Sequence, residues 1–261
     1  MKRFLISSIQ SLIKKSPSLY RLFAYRFKAK EPEMRIIQKL LKNKHGIAID
    51  IGANRGYYSE FILRKFRNLQ VHSFEPQPQL YNHMKHYLCN YDRLKIYNLG
   101  ISDSKSVLRL NIPNVSTENG VFIGSYLATF QNIDEDHESI SIPVNTLDSF
   151  GFKNVVFIKI DVEGFEGHVL IGAKETIKNS KPIMLIEIEQ RHLNRAQDSQ
   201  TVSNIIDYIK DMGYDCYIII ENKLICVDEL EIEKLQRHKD IGTYGYICNF
   251  FFIPENVISS G

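Results

Sequence analysis

The sequence predicts an α/β fold: a doubly wound, mostly parallel sheet with antiparallel pairing at its C-terminal edge. Three observations predict it. From about residue 33, apolar runs of strand length alternate with amphipathic runs of helical length. Near the C-terminus, "YDCYIII" and "KLICV" stand a turn apart, as the two arms of a hairpin do. Several of the apolar runs end in an acid or a glycine, at the strand ends where such a sheet binds ligands.

The elements follow in order. "GIAIDIG" (46–52) is a short apolar strand, and "YYSEFILRKF" reads as the helix after it. "LQVHSFEP" (69–76) is a second strand, "QLYNHMKHYLCNY" a second helix and "LKIYNLGIS" (94–102) a third strand. "SVLRLNIP" and "SISIPVNTL" alternate like antiparallel strands around a loop-rich stretch. "NVVFIKIDVEG" is a core strand, followed by "HVLIGAKETIKNS" as one helix and "PIMLIEIE" (182–189) as another core strand. "TVSNIIDYIKDMG" is an amphipathic helix stopped by Gly213, and "CNFFFIP" is the last strand.

The 261 residues are 44% apolar and 24% charged, the balance of a soluble globular chain. They divide into a basic extension, 1–32, and one domain, 33–261. Residues 1–30 carry Lys2, Arg3, Lys14, Lys15, Arg21, Arg26, Lys28 and Lys30 and no acid, with apolar residues at helical spacing. Such a segment packs on its own domain or on a dimer mate, or lies on an anionic membrane surface. No apolar run approaches the ~20 residues that span a bilayer. The four cysteines form no CxxC pair, which argues against a zinc site and suits a reducing cytoplasm, with any membrane contact on its inner face. No nucleic-acid recognition module is visible.

The chemistry sits at the strand ends. "DIGANRG" puts Asp50, Gly52, Asn54 and Gly56 at the first strand-to-helix turn. Asn54 replaces the middle glycine of the dinucleotide fingerprint, so this turn favours a ligand that carries an amine over one that carries a pyrophosphate. Glu75, 25 residues after Asp50, ends the second strand, where an acid accepts hydrogen bonds from ribose hydroxyls. Ser102 and Asp103 follow the third strand, in position for an adenine ring. In "VVFIKIDVEGFEG", Lys159, Asp161 and Glu163 occupy alternate positions and so form one charged row if the strand persists.

Together, "DIGANRGYYS", "FEP", "NLGISD", "NTLDSF" and "IKIDVEGFEGHVLIGAKETI" resemble the FkbM family of S-adenosylmethionine-dependent methyltransferases, from about Ala48 to Glu189. The resemblance implies a class I, Rossmann-like methyltransferase sheet of seven strands, order 3-2-1-4-5-7-6, with the last strand antiparallel. It implies methyl transfer to a hydroxyl, commonly of a sugar or secondary metabolite, as in polysaccharide biosynthesis. On it, Asp50, Gly52, Asn54 and Gly56 border the methionine part of S-adenosylmethionine, Glu75 its ribose, and Ser102 and Asp103 its adenine.

Methyl transfer is largely positioning, but a hydroxyl nucleophile needs its proton removed or its oxygen polarised. Asp161 is the candidate base, or it orients the acceptor or the ligand's ammonium. Glu163 shares its face, and the two carboxylates are a candidate Mg²⁺ pair. Lys159, one step deeper, is expected to pair with Asp161 or another acid. Glu187 and Glu189 point toward the acceptor side, and His168 and His192 are further base candidates. Two other readings compete. A nucleotide-dependent oxidoreductase suffers from the missing glycine and from having its "YNHMK" spacing in a peripheral helix. A non-catalytic ligand-binding relative would have no need of the charged row.

Overall fold

The computed structural model describes residues 31–113, 128–130, 137–194, 200–227, 235–236 and 246–255. Residues 1–30 of the expected basic extension, with its membrane or dimer contact, lie outside them. The elements run α1 (Pro32–Leu40), β1 (Gly46–Ile51), α2 (Tyr57–Lys65), β2 (Leu69–Phe74), α3 (Pro78–Tyr87), β3 (Leu94–Tyr97), β4 (Gly100–Ile101), β5 (Ser106–Pro113) and β6 (His137–Asn145). A 3-10 turn (Asp148–Phe150) then leads to β7 (Val155–Ile160), α4 (Glu166–Gly172), α5 (Lys174–Ser180), β8 (Ile183–Glu187), α6 (Gln190–Leu193), α7 (Val202–Lys210), β9 (Tyr214–Ile220), β10 (Lys223–Cys226) and β11 (Asn249–Pro254).

The main sheet has the order β10-β9-β11-β8-β7-β1-β2-β3. Without β10 this is the expected seven-stranded arrangement, and β11 pairs antiparallel with both β8 and β9. The arm β10 adds an eighth strand at the edge through the hairpin with β9. Strand side chains alternate faces, so β1 sends Ile49 and Ile51 to one core and Ala48 to the other. On the first face pack α4, α5 and α7, through Val169, Leu170, Ile177, Ile205 and Ile206. On the second pack α1 and α2, through Met34, Ile37, Phe61 and Ile62. Helices on both faces make the sheet doubly wound. No helix of the described residues is long and apolar enough to cross a membrane.

Two elements differ from the expectation. The third strand is not continuous: β3 ends at Tyr97, and the chain then leaves the main sheet. Gly100–Ile101 pair instead with β6, in a second sheet of order β4-β6-β5. The antiparallel pair expected from "SVLRLNIP" and "SISIPVNTL" forms that small sheet. The single helix expected after β7 breaks at Ala173, φ −111°. Gly172 lies against the Ser102 carbonyl, where an added Cβ would stand 1.9 Å from the oxygen.

Asp148, from "NTLDSF", accounts for the second half of that break. Its carboxylate accepts from Glu175 N (3.0 Å) and from Thr176 N and Oγ1 (2.8 and 2.7 Å), closing the open N–H groups of α5. Asp148→Ala is expected to cost about 0.5–2 kcal/mol in urea unfolding, the range for a lost helix cap.

Candidate functional site

The turn after β1 is built around Gly52. Its φ of +75° is open to glycine, and a Cβ there would stand 1.8 Å from the Asp161 carbonyl oxygen. The ends of β1 and β7 therefore touch backbone to backbone, joined also by Asp161 N donating to Ile51 O at 3.0 Å. Asn54 is left-handed as well (φ 53°), and Gly56 is the N-cap residue of α2. The Asp50 carboxylate points under α2, accepting from Ser59 N (3.1 Å) and Ser59 Oγ (2.5 Å). Burial pushes its pKa up to about 6 against the pull of Ser59 and Lys159. Asp50 thus ties β1 to α2, behind the turn that Gly52 and Asn54 expose.

Glu75 ends β2 and is buried. Its Oε2 accepts from Asn54 N (2.7 Å) and its Oε1 from Gln77 N (2.8 Å). Those N–H bonds favour the carboxylate, but burial outweighs them and pushes the pKa up to about 8. The acid therefore braces the Gly52 turn from the neighbouring strand while facing the same cleft.

Gly52, Asn54, Glu75, Asp161 and Glu163 come together around a cleft at the C-terminal ends of β1, β2 and β7. Leu99, Gly100 and Ile101 line its third side, with Leu110, Ala128 and Phe130 of the small-sheet region over it. Ser102 and Asp103, expected there, are displaced from this wall because the crossing into β4 uses up the residues just after β3. Ser102 N donates to Asn145 O at 2.9 Å. Asp103 accepts from Ser104 Oγ and meets His168 Nδ1, both at 2.8 Å. The bond to His168 lowers the Asp103 pKa. His168, stacked on Phe165 at 4.2 Å, is thus engaged with Asp103.

The charged row is shorter than its spacing suggested. β7 ends at Ile160, and Glu163 sits at φ +52°, so it leaves the strand face on which Lys159 lies. Lys159 is 1% exposed, and its ammonium stands 3.7 Å from Asp161 Oδ2 and 3.8 Å from Glu187 Oε2. It donates to Ile160 O at 3.2 Å and lies over the Tyr58 ring at 5.4 Å. Burial works against its charge, but Asp161, Glu187 and Asp50 prevail and raise its pKa. The expected pairing of Lys159 with Asp161 is present, and Glu187 is a second acidic partner that alternation along one strand could not reveal.

Glu163 turns toward α6: its Oε2 lies 3.1 Å from His192 Nδ1. Burial, with Asp161, Glu187, Glu166 and Glu189 nearby, pushes its pKa up to about 9. Glu166 organises the loop below it, accepting from Gly164 N at 3.0 Å. Glu189 is held the other way: despite burial, Arg191, His192 and Tyr246 lower its pKa. Arg191 grips it with two nitrogens (2.5 and 3.0 Å), and Tyr246 donates to it at 2.8 Å.

Among the described residues, the metal-capable side chains that gather as a group of three are Glu187, Glu189 and Cys248. That set includes neither Asp161 nor Glu163. Glu189 is already taken by Arg191 and Tyr246, and burial pushes the Cys248 thiol well up, away from the thiolate a metal needs. The expected Mg²⁺ pair of Asp161 and Glu163 finds no support in this arrangement.

A family model described as the methyltransferase FkbM domain matches residues 50–216. A curated relative, the 2-O-methyltransferase NoeI of Sinorhizobium fredii, is 26% identical over 159 residues, 56% of this chain and 65% of that protein. Among solved structures, the methyltransferase FkbM from Methylobacillus flagellatus is similar with a TM-score of 0.50 and 17% identity, covering 95% of this chain and 58% of that one. The likeness to that structure is one of fold. The chain spans less than two thirds of the length of either protein.

Proposed function

This chain belongs to the FkbM methyltransferase family, and from that premise we propose that it transfers a methyl group from S-adenosylmethionine to a hydroxyl of a sugar in a polysaccharide or glycoconjugate. The observation that carries the reading is the cleft at the ends of β1, β2 and β7. Its described lining holds three acids, Glu75, Asp161 and Glu163, and no lysine or arginine. With no cation in that lining, a buried pyrophosphate would stay unpaired, which disfavours a dinucleotide; a cationic donor with ribose hydroxyls needs no such partner.

The residues fit the donor in a further respect. Asn54 Oδ1, at the exposed turn, is buried without a hydrogen-bond partner among the described residues, an unmet acceptor suited to an amine. Gly52 and Asn54 would hold the methionine part and Glu75 the ribose. Leu99, Gly100 and Ile101 would lie nearer the adenine than Ser102 and Asp103. The donor supplies an electrophilic methyl on a sulfonium. The protein's task is to place an acceptor oxygen in line and handle its proton. Asp161, beside the Gly52 turn and partly exposed, is placed to orient or deprotonate that oxygen, with Lys159 holding it from below.

Asp161 and Glu163 offer carboxyl oxygens to the several hydroxyls of a neutral sugar. The curated relative is named a 2-O-methyltransferase, which also favours oxygen as the acceptor atom. The test is S-adenosylhomocysteine release from S-adenosylmethionine with a panel of methyl glycosides. With any glycoside that the wild type uses, Asp161→Asn is expected to lower kcat by ~10²–10⁴-fold while S-adenosylhomocysteine affinity stays within a few-fold. Unchanged turnover would remove Asp161 from the chemistry.

A further inference from the structure

Resting on the methyl-transfer reading, we propose that Phe130 is the wall on which the donor's adenine stacks. A short strap of the small-sheet region, residues 128–130, carries the ring to the cleft. The base then lies beside Leu99 to Ile101 with one face on Phe130, which makes this side chain a determinant of donor affinity.

The lining of the cleft is of two kinds. Its polar side chains, Asn54, Glu75, Gln77, Asp161 and Glu163, come from the turns after β1, β2 and β7. The third side and the roof, Leu99, Ile101, Leu110, Ala128 and Phe130, bring only apolar side chains. A ligand with a charged, hydroxylated part and a flat base matches that division. Two aromatic rings stand in the lining. Phe74 is fully buried and already stacked on Tyr97, at 4.7 Å and 11°. Phe130 is half-buried, and its neighbour Phe165 meets it at 5.2 Å with a tilt of 55°. No ring of the described residues stacks on Phe130, so it is the aromatic face left for a base.

The strap is fixed from two sides. Thr129 N donates to Asn111 O at 3.0 Å, and Asn111 N donates to Thr129 O at 2.8 Å, which joins the strap to β5. Asn111 is buried and accepts in turn from Ser139 Oγ of β6 at 2.6 Å. Thr129, 1% exposed, also donates through Oγ1 to the Glu163 carbonyl at 3.0 Å, which joins the strap to the loop after β7. With Thr129 turned inward, its neighbours Ala128 and Phe130 both line the cleft, as alternation requires. Gly100 lets the ring settle: a Cβ there would stand 2.8 Å from Phe130 Cζ. A ring held in place before the ligand arrives loses little freedom on binding.

The test uses the full chain, which has no tryptophan, so that Phe130→Trp puts a lone emitter in the wall. S-adenosylhomocysteine is expected to quench that emission saturably, over the concentrations at which calorimetry detects binding. Adenosine should quench it too, and homocysteine, which lacks the base, should not. By calorimetry, Phe130→Leu, apolar but without a ring, is expected to weaken S-adenosylhomocysteine binding ~5–150-fold, the range for losing one base stack. Phe130→Tyr, which keeps the ring, should stay within about threefold of wild type. Should Phe130→Trp not fold or not bind, the comparison of Phe130→Leu with Phe130→Tyr decides. Emission unchanged while S-adenosylhomocysteine binds, or equal affinity in wild type and Phe130→Leu, would overturn this placement and leave the methyl-transfer reading standing. Quenching by a methyl glycoside alone would assign the ring to the acceptor and overturn it as well. No binding of S-adenosylhomocysteine to the wild type would overturn the methyl-transfer reading, and the placement with it.

Discussion

Gly52→Ala is expected to abolish S-adenosylhomocysteine binding and to destabilise the fold by roughly 2–5 kcal/mol, from a left-handed backbone and a core-like overlap together. The residue lies at φ +75°, and the added Cβ would stand 1.8 Å from the Asp161 carbonyl oxygen. That neighbour is backbone, so β1 and β7 must separate by more than an ångström. The move would break the Asp161 N to Ile51 O bond of 3.0 Å and shift Gly52, Asn54 and Asp161 on the cleft wall together. Gly151→Ala is the control: φ there is +60°, with no atom within 4 Å of the added carbon. It should cost only about 1–2 kcal/mol of conformational strain and leave binding intact. Urea unfolding and calorimetry on both variants separate the overlap from the φ penalty. Equal losses in the two would show that the close approach of β7 is not what fixes the turn.

Lys159→Met is expected to cost about 3 kcal/mol, the lower end for breaking a buried ion pair, since Asp161 and Glu187 keep some contact with water. The loss should depend on pH, and the sign follows from Glu187. Burial raises its folded pKa to about 7, above the ordinary glutamate value, with Asp161 raising it further and Lys159 pulling it down. A raised acid contributes stability that is full below the unfolded pKa and falls as pH rises through the folded one. Without the ammonium, Glu187 is pushed higher still. Wild type and variant should therefore differ least at pH 5, where Glu187 is neutral in both, and most at pH 8, where only the wild type offers it a partner. Unfolding curves at the two pH values check this, and a deficit larger at pH 5 would contradict it.

Much of the sheet was legible because its strands obey local rules. "GIAIDIG" and "VVFIKI" are apolar on both faces, as strands covered by helices on both sides must be. The turn at Gly52 was legible for the same reason, as a tight strand-to-helix turn needs a residue that tolerates positive φ. The pairing of Lys159 followed from the cost of burying a lone ammonium.

What was not legible depends on contacts distant in sequence. The third strand breaks after Tyr97 because Gly100–Ile101 find β6, more than forty residues on. This moves Leu99 to Ile101 into the cleft and takes Ser102 and Asp103 out of it. Alternation predicted one row from Lys159 to Glu163, but it assumed a strand past Ile160. The left-handed Glu163 rotates out of the row and meets His192 on α6. The helix after β7 reads as continuous because nothing local announces that Gly172 must pass the Ser102 carbonyl. The bond from Ser59 to Asp50 becomes visible only once α2 is laid across β1.

The central claim is that the acid-lined cleft at the ends of β1, β2 and β7 binds a methyl donor. Calorimetric titration of the purified chain with S-adenosylhomocysteine and, separately, with NAD tests it most directly. The account predicts one saturable site for S-adenosylhomocysteine, lost in Glu75→Ala, and no heat of binding with NAD. Binding of NAD without S-adenosylhomocysteine would contradict it.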